Sequence, residues 1–376
     1  MINLDRFYTE LEKIGVDFFT GVPDSLLKSF CAYVTDKVDP EKHIISANEG
    51  GAVGLAIGYY LATGKLPLVY LQNSGLGNVI NPLTSLADRD VYSIPLLFMI
   101  GWRGEPGVKD EPQHVKQGKV TLETLEVLGV PHVVIDENEK KSLSKLNEIV
   151  KISLDESRPV AVVVRKNTFS DYKLKQDSIA SFPHNREDAI KVILENLSAD
   201  DVIVSTTGMT SRELFEYRSE MGDGHGRDFL TVGGMGHASQ IALGVSKGCP
   251  EKNVVCIDGD GAALMHLGSL SISGTSGVKN FKHIVINNGS HDSVGGQPTL
   301  AFDVDLSAIA KAIGYNCFKK CDSLSDLEDI LPDFLGSEGP VFLEICTAKG
   351  NRSDLGRPTT TPIENKIAFM ENLGVS

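Results

Sequence analysis

The chain alternates between short apolar runs and longer stretches with apolar residues at helical spacing. Leu4, Phe7, Leu11 and Ile14 lie on one face of a helix over residues 3–14. The runs at 18–20 and 44–46 are short strands. Those at 67–72, 95–100, 133–135 and 160–164 are apolar almost throughout, as strands covered on both faces of a parallel sheet are. A Gly- and Ala-rich helix follows Glu49 and runs through residue 62, and another helix ends near residue 87. Residues 101–118 are polar and mixed in charge and predict a long loop, which in a compact domain is usually functional. Residues 171–186 are polar, contain Pro183 and lack periodicity, so they predict a linker between a domain over 1–170 and another over 187–376. A second series of strands follows at 202–205, 229–232, 254–257, 283–286 and 341–346. The expected class is α/β, with two doubly wound parallel-sheet domains.

Several of these runs end in polar residues at the edge where open parallel sheets bind ligands. The run 254–257 leads to Gly259-Asp260-Gly261, and the run 283–286 to Asn287-Asn288-Gly289. The 25 residues 262–286 suit one helical crossover between neighbouring parallel strands. Asp260 offers a carboxylate and Asn288 an amide oxygen, hard ligands suited to Mg2+ rather than zinc. The glycines let backbone approach a phosphate, and a helix starting near Ala262 points N–H groups at it. A metal diphosphate fits such a place. Glu49 opens the small-residue helix, where the macrodipole favours a carboxylate; in an apolar cleft it can also share a proton with a ring nitrogen. Gly21-Val22-Pro23-Asp24-Ser25 is a turn in which Asp24 or Ser25 is placed to cap the next helix.

Composition narrows the partners. With 376 residues, 41% hydrophobic and 23% charged, the chain has the balance of a globular protein of about two domains. Its net charge of −14 argues against nucleic acid or an anionic membrane as the main partner. An anionic substrate needs local positive charge, for which Arg103, Lys109, Lys116, His291, Arg352 and Arg357 are the candidates. The six cysteines show no C-x-x-C pair and read as buried free thiols. The first residues carry no export signal and no apolar run is long enough to span a membrane, so a cytoplasmic location is expected. No strand leads into G-x-G-x-x-G, which speaks against a nicotinamide cofactor.

Gly259-Asp260-Gly261 followed after about 25 residues by Asn287-Asn288 resembles the signature of thiamine diphosphate enzymes. The order of motifs resembles that of the two-domain thiamine diphosphate decarboxylases. That resemblance implies a pyrimidine-binding domain first and a diphosphate-binding domain second, with thiamine diphosphate and Mg2+ as cofactors. It implies Asp260, Asn288 and the main-chain oxygen of Ser290 as metal ligands, with Gly259, Gly261 and Ala262 around them. Glu49 takes the place of the glutamate that pairs with the aminopyrimidine and favours its imino tautomer. Asn73, Ser74 and Gly75 resemble the second pyrimidine-domain loop. Gly208, Met209 and Thr210 suit the diphosphate end. In Val232-Gly233-Gly234-Met235-Gly236-His237, Met235 would wedge between the two rings and the Gly233 carbonyl would accept from the amino group. Asp24 takes the place of an acidic active-site residue, and His114 stands where relatives carry paired histidines.

The strings N-N-G-S-H-D-S-V-G-G-Q-P-T and R-S-D-L-G-R-P look like those of family members acting on phosphonates. The implied reaction is decarboxylation of a small anionic 2-oxo acid, 3-phosphonopyruvate, to phosphonoacetaldehyde and CO2. His291, Arg103, Lys109 and Arg357 are the residues expected at the substrate anion. Sulfopyruvate is the alternative substrate, and a carboligase of the acetolactate synthase type the alternative reaction. The family also implies self-association, with active sites between chains.

Overall fold

The structure, a computed structural model, describes residues 1–175, 181–317 and 320–375, the Cys317 side chain excepted. It divides into two units, Met1–Asp177 and Ser178–Ser376. The middle of the expected linker, residues 176–180, lies outside the described residues. Its last part is already structured: Asn185 pairs with Ala348 and caps the first helix of the second unit through a capping box with Asp188.

In the first unit the elements are α1 (Leu4–Lys13), β1 (Val16–Gly21), α2 (Lys28–Lys37), β2 (His43–Ile45), α3 (Glu49–Thr63), β3 (Leu66–Gln72) and α4 (Leu76–Pro82), then β4 (Leu96–Gly101), α5 (Pro112–Val127), β5 (His132–Ile135), α6 (Glu139–Glu156) and β6 (Pro159–Val164). The six strands are parallel, in the order β2-β1-β3-β4-β6-β5. Successive residues of a strand face opposite ways. Leu68, Leu97, Val160 and Val162 therefore join one core, and Val69, Phe98, Ala161 and Val163 the other.

The second unit holds α7 (Arg186–Asn196), β7 (Val202–Ser205), α8 (Met209–Met221), β8 (Asp228–Leu230), α9 (Ala238–Gly248), β9 (Val254–Gly259) and α10 (Asp260–Met265), then α11 (Leu270–Gly274), β10 (Phe281–Asn287), α12 (Leu306–Ala312), β11 (Asn316–Cys317), α13 (Leu324–Gly336), β12 (Val341–Cys346) and α14 (Pro362–Asn372). Its six parallel strands run β11-β12-β10-β9-β7-β8. Read from the other edge, this is the strand order of the first unit.

That shared order fixes where ligands can enter. After β1 the chain steps to one side for β2 and then back past β1 for β3. Right-handed crossovers in opposite directions place the intervening helices on opposite faces. Accordingly, Phe30 and Val34 of α2 lie in one core of the sheet and Ala52, Val53 and Ala56 of α3 in the other. In the second unit Leu214 of α8 and Ala242 of α9 divide in the same way around β7. A crevice opens at the strand ends between β1 and β3, and another between β7 and β9.

Four expectations are corrected. Residues 101–118 are not all loop: α5 begins at Pro112, whose ring favours the first helical position. The buried face of α5 carries His114, Gly118, Thr121 and Leu125, so helical spacing was present but mostly in polar or small residues. The connection from β9 to β10 is not one helix, because His266 leaves helical geometry between α10 and α11. The helix at the Gly-Asp-Gly motif opens on Asp260 itself, not near Ala262. Neither Asp24 nor Ser25 is the N-cap of α2, which starts at Lys28 behind Leu27.

Among the described residues, no helix is long and apolar enough to cross a membrane. Cys31, Cys249, Cys256, Cys321 and Cys346 are buried and free, as expected; Cys317, the sixth, has its side chain outside the described structure.

Arg218 ties α8 to the edge strand β8. It is 1% exposed and donates to both Asp228 oxygens, at 3.0 and 3.1 Å, and to Asp223 at 3.1 Å. Removing one member of such a pair strands the other charge in the core. Arg218→Ala is expected to cost about 3–5 kcal/mol in urea unfolding, and Arg218→Leu combined with Asp228→Leu clearly less. Equal losses from both variants would show that the pair does not act as a unit.

Candidate active site

Three of the buried carboxylates follow C-terminal strand ends and are each held by a neutral donor. Glu49 is the first residue of α3 and 6% exposed. Its Oε2 accepts from Asn78 Nδ2 at 2.7 Å. Its carboxyl group presses against Gly75, where a Cβ would lie 2.6 Å from the carboxyl carbon. Gly75 thus makes the space that Glu49 occupies.

Asp24 follows β1 and is fully buried. Gln72 Nε2 donates to its Oδ1 at 2.7 Å, and the Leu27 N–H to its Oδ2 at 3.2 Å. Burial raises its pKa despite those donors and nearby Arg103. The exposed Ser74 hydroxyl donates to Gln72 Oε1 at 2.8 Å, so the loops after β1 and β3 share one hydrogen-bonded chain.

Asn73, also fully buried, latches the loop after β4. Its amide donates to the Arg103 carbonyl at 2.8 Å and to Thr121 at 2.9 Å, and its oxygen accepts from the Arg103 N–H at 3.2 Å. The Arg103 guanidinium grips Asp110 at 2.5 and 2.8 Å and Ser25 Oγ at 2.5 Å. Asp110 in turn holds His114 Nδ1 at 2.9 Å. Burial opposes the Asp110 charge, but the bonds from Arg103, His114 and two main-chain N–H groups outweigh it and keep the carboxyl well below its usual range. Asn73, Arg103 and His114 are therefore one network, and Asp24 feels the Arg103 charge from outside it. Asp110 links two of them, and only its position four residues before His114 on the chain hinted at that.

In the second unit Asp260 is 3% exposed and accepts a hydrogen bond from Thr299 Oγ1 on its Oδ2. Burial raises its pKa to about 7, against the Thr299 and main-chain hydrogen bonds. A buried carboxylate short of counter-charge suits a cation. Asn288 lies at the neighbouring strand end, 4% exposed; its Oδ1 accepts from the Ser290 N–H at 3.0 Å and its Nδ2 donates to Asp292 at 2.7 Å. Ser290 is 7% exposed and its hydroxyl has no hydrogen-bond partner among the described residues. Hard oxygens and an orphaned hydroxyl at one sheet edge fit a magnesium diphosphate.

Gly208 caps α8 at φ +97°, a conformation that glycine takes without strain, and no side chain caps that helix. Its first N–H groups, at Met209 and buried Thr210, remain available to an anion. A Cβ built on Gly261 would lie 3.0 Å from the His291 ring and 3.4 Å from Met235 Cε, so these side chains border the Asp260 turn. Met235 and Gly233 are half-buried, while Gly234 is exposed and its carbonyl faces His237 Nδ1 at 3.0 Å. Gly259 ends β9, and Ala262 is buried inside α10.

The basic candidates separate. His291 is partly buried, and burial lowers its pKa to about 4, leaving a neutral imidazole. Lys109, Lys116 and Arg357 are exposed. Arg352 is committed to Glu187, at 2.9 Å, and to Glu216. Sequence reasoning missed Gln72, Asn78, Thr299 and Asp292, which hold or border the groups it named. Each is remote in sequence or too common a residue type to stand out.

Doubly wound units, one with hard oxygens and an orphaned hydroxyl at a sheet edge and the other with a buried glutamate, fit a thiamine diphosphate-binding enzyme. The comparisons agree. The family described as "Thiamine pyrophosphate enzyme, N-terminal TPP binding domain" matches residues 4–127, and its C-terminal counterpart matches residues 206–345. The chain belongs to the thiamine pyrophosphate enzymes. A phosphonopyruvate decarboxylase of Streptomyces viridochromogenes is 34% identical over 385 residues, covering 97% of this chain and 93% of its own. That of Streptomyces hygroscopicus is 33% identical, covering 99% and 94%. A sulfopyruvate decarboxylase of Methanosarcina acetivorans is 28% identical, covering 97% and 96%.

Two outcomes test this geometry. Gly75→Ala is expected to displace Glu49 and cut cofactor-dependent turnover at least about tenfold with the near-UV circular dichroism preserved; unchanged turnover would show that the contact is irrelevant. Asp24 has a raised folded-state pKa, so its contribution to stability is full at low pH and is lost as pH rises through that pKa. Asp24→Asn should therefore gain in melting temperature relative to wild type as pH rises above the ordinary carboxylate pKa of about 4. A difference independent of pH would contradict the assignment.

Proposed function

We propose that the chain is a thiamine diphosphate- and Mg2+-dependent carboxy-lyase that converts 3-phosphonopyruvate to phosphonoacetaldehyde and CO2. The observation that carries this reading is the likeness to phosphonopyruvate decarboxylases over nearly the full length of both chains. The likeness to a sulfopyruvate decarboxylase over the same span makes sulfopyruvate the second reading.

When bound, thiamine diphosphate supplies the electron sink for cleavage of the bond to the carboxylate. In this reading Asp260, Asn288 and the main-chain oxygen of Ser290 hold Mg2+ on the diphosphate. Gly208, Met209 and Thr210 offer N–H groups, with Gly259, Gly261 and Ala262 lining the same edge. Glu49 would pair with the pyrimidine ring nitrogen. Met235, beside Gly233 and Gly234, would pack against the cofactor rings. Asn73, Ser74 and Gly75 shape the loop that holds Glu49.

Loss of CO2 leaves a carbon that must take up one proton to become the aldehyde. Asp24, whose pKa burial raises, is the group proposed to give it, and His114, fixed by Asp110, to replace it. His291, Arg103, Lys109 and Arg357 are the groups proposed to face the phosphonate; the neutral His291 ring can donate a hydrogen bond but carries no charge. Glu49 belongs to one unit and Asp260 to the other. The family resemblance adds self-association to the reading, in which the first unit of one chain and the second unit of another would serve one cofactor.

The test is aldehyde formation from phosphonopyruvate, sulfopyruvate and pyruvate, each with and without thiamine diphosphate and Mg2+. Cofactor-dependent turnover that prefers phosphonopyruvate is expected. Preference for sulfopyruvate would overturn the substrate and keep the chemistry; a ligated product would overturn the reaction.

A further inference from the structure

The loop over residues 289–299 folds back on itself. Thr299 N–H donates to the Gly289 carbonyl at 2.9 Å and His291 N–H to the Gln297 carbonyl at 2.8 Å, while Ser290 and Pro298 form an antiparallel bridge. It begins beside Asn288 and returns to Asp260. One residue near its start and one at its end touch the two side chains expected to ligate the metal.

At the start, Asp292 Oδ2 accepts from Asn288 Nδ2 at 2.7 Å. Only the oxygen of an amide can bind a cation, and a carboxylate can only accept. Asp292 therefore selects the NH2 end of Asn288 and leaves the oxygen on the other side, where it accepts from the Ser290 N–H. A flipped amide would set oxygen against oxygen at Asp292 and N–H against N–H at Ser290. Asp292 is itself fixed: the Gly350 N–H donates to the same oxygen at 2.8 Å, and Arg186 Nη1 lies 3.4 Å away. Arg186 is 6% exposed and locked onto Glu213 by two bonds of 2.7 and 2.8 Å.

At the end, the Thr299 hydroxyl donates to Asp260 Oδ2. The Ala301 N–H occupies a lone pair of that hydroxyl at 3.3 Å, which directs its single proton to Asp260. Thr299 thus holds one oxygen of the Asp260 carboxyl and fixes the direction in which the other points.

We propose that this loop is an orienting clamp, in which Asp292 and Thr299 are positioning residues that hold Asn288 and Asp260 in the geometry that binds the metal before it arrives. The proposal rests on the reading above that Asp260 and Asn288 hold Mg2+. Ligands left to rotate must be ordered at binding, and loss of an orienting partner typically lowers metal affinity about 10- to 100-fold.

The experiment measures the Mg2+ concentration that half-saturates thiamine diphosphate binding, by calorimetry on the full chain, together with the melting temperature without metal or cofactor. Thr299→Val and Asp292→Asn keep side-chain shape, and Thr299→Ser returns the hydroxyl. The expected result is a half-saturation raised about 10- to 100-fold in the first two and restored in Thr299→Ser, in excess of any change shared with Leu300→Ala, which alters an exposed side chain next to the loop. Wild-type Mg2+ dependence in Thr299→Val and Asp292→Asn, alongside its loss in Asp260→Ala, would overturn the clamp and keep the metal site. Wild-type dependence in Asp260→Ala would overturn both.

Discussion

A carboxylate taken out of water must be compensated, and how it is compensated decides what it can do. Two sets of buried and half-buried carboxylates among the described residues bear on this. Asp110, Asp228 and Glu213 are paired with Arg103, Arg218 and Arg186. Their charge is satisfied, and they fasten a loop, an edge strand and a helix pair. Glu49, Asp24 and Asp260 are instead held by the neutral donors Asn78, Gln72 and Thr299. None of these three has an ion pair among the described residues. All three lie at C-terminal strand ends, where the fold leaves room for a ligand. A buried carboxyl without a cation can take a proton or a metal, and those are the tasks that a thiamine diphosphate site sets.

The fold supplies that arrangement twice. Both units have the same strand order, so each has a crevice beside its first strand, at the same place in the topology. What differs is the chemistry placed on the loops. The first unit carries carboxyls that can hold protons, beside amides and an Arg–Asp–His chain. The second carries oxygen ligands, an uncapped helix start and glycines. The topology fixes the positions of these loops; in the proposed function their side chains divide proton handling from diphosphate binding.

Much of this was legible in the sequence because strands covered on both faces must be apolar throughout. The runs at 202–205 and 341–346 match β7 and β12 residue for residue. Asp260 and Asn288 could be paired from their spacing alone, since β9 and β10 are neighbours. The start of α5 was hidden because its inward face uses His114, Gly118 and Thr121, which carry no hydrophobic signal. The break at His266 is a backbone choice that no single residue type announces. Asp292 and Thr299 matter through hydrogen bonds, and Thr299 meets Asp260 across 39 positions of chain. A threonine in a loop has no pattern to reveal such a partner.

The most direct measurement is the rate of hydrogen–deuterium exchange at C2 of thiamine diphosphate bound to the wild-type chain and to Glu49→Gln, with occupancy determined in the same sample. The account predicts that both bind the cofactor and that exchange is slower by at least about 100-fold in the variant, because the carboxyl proposed to pair with the pyrimidine ring is replaced by an amide. Equal exchange at equal occupancy would contradict it, and would move the proton chemistry away from the carboxylate on which the first unit's site is built.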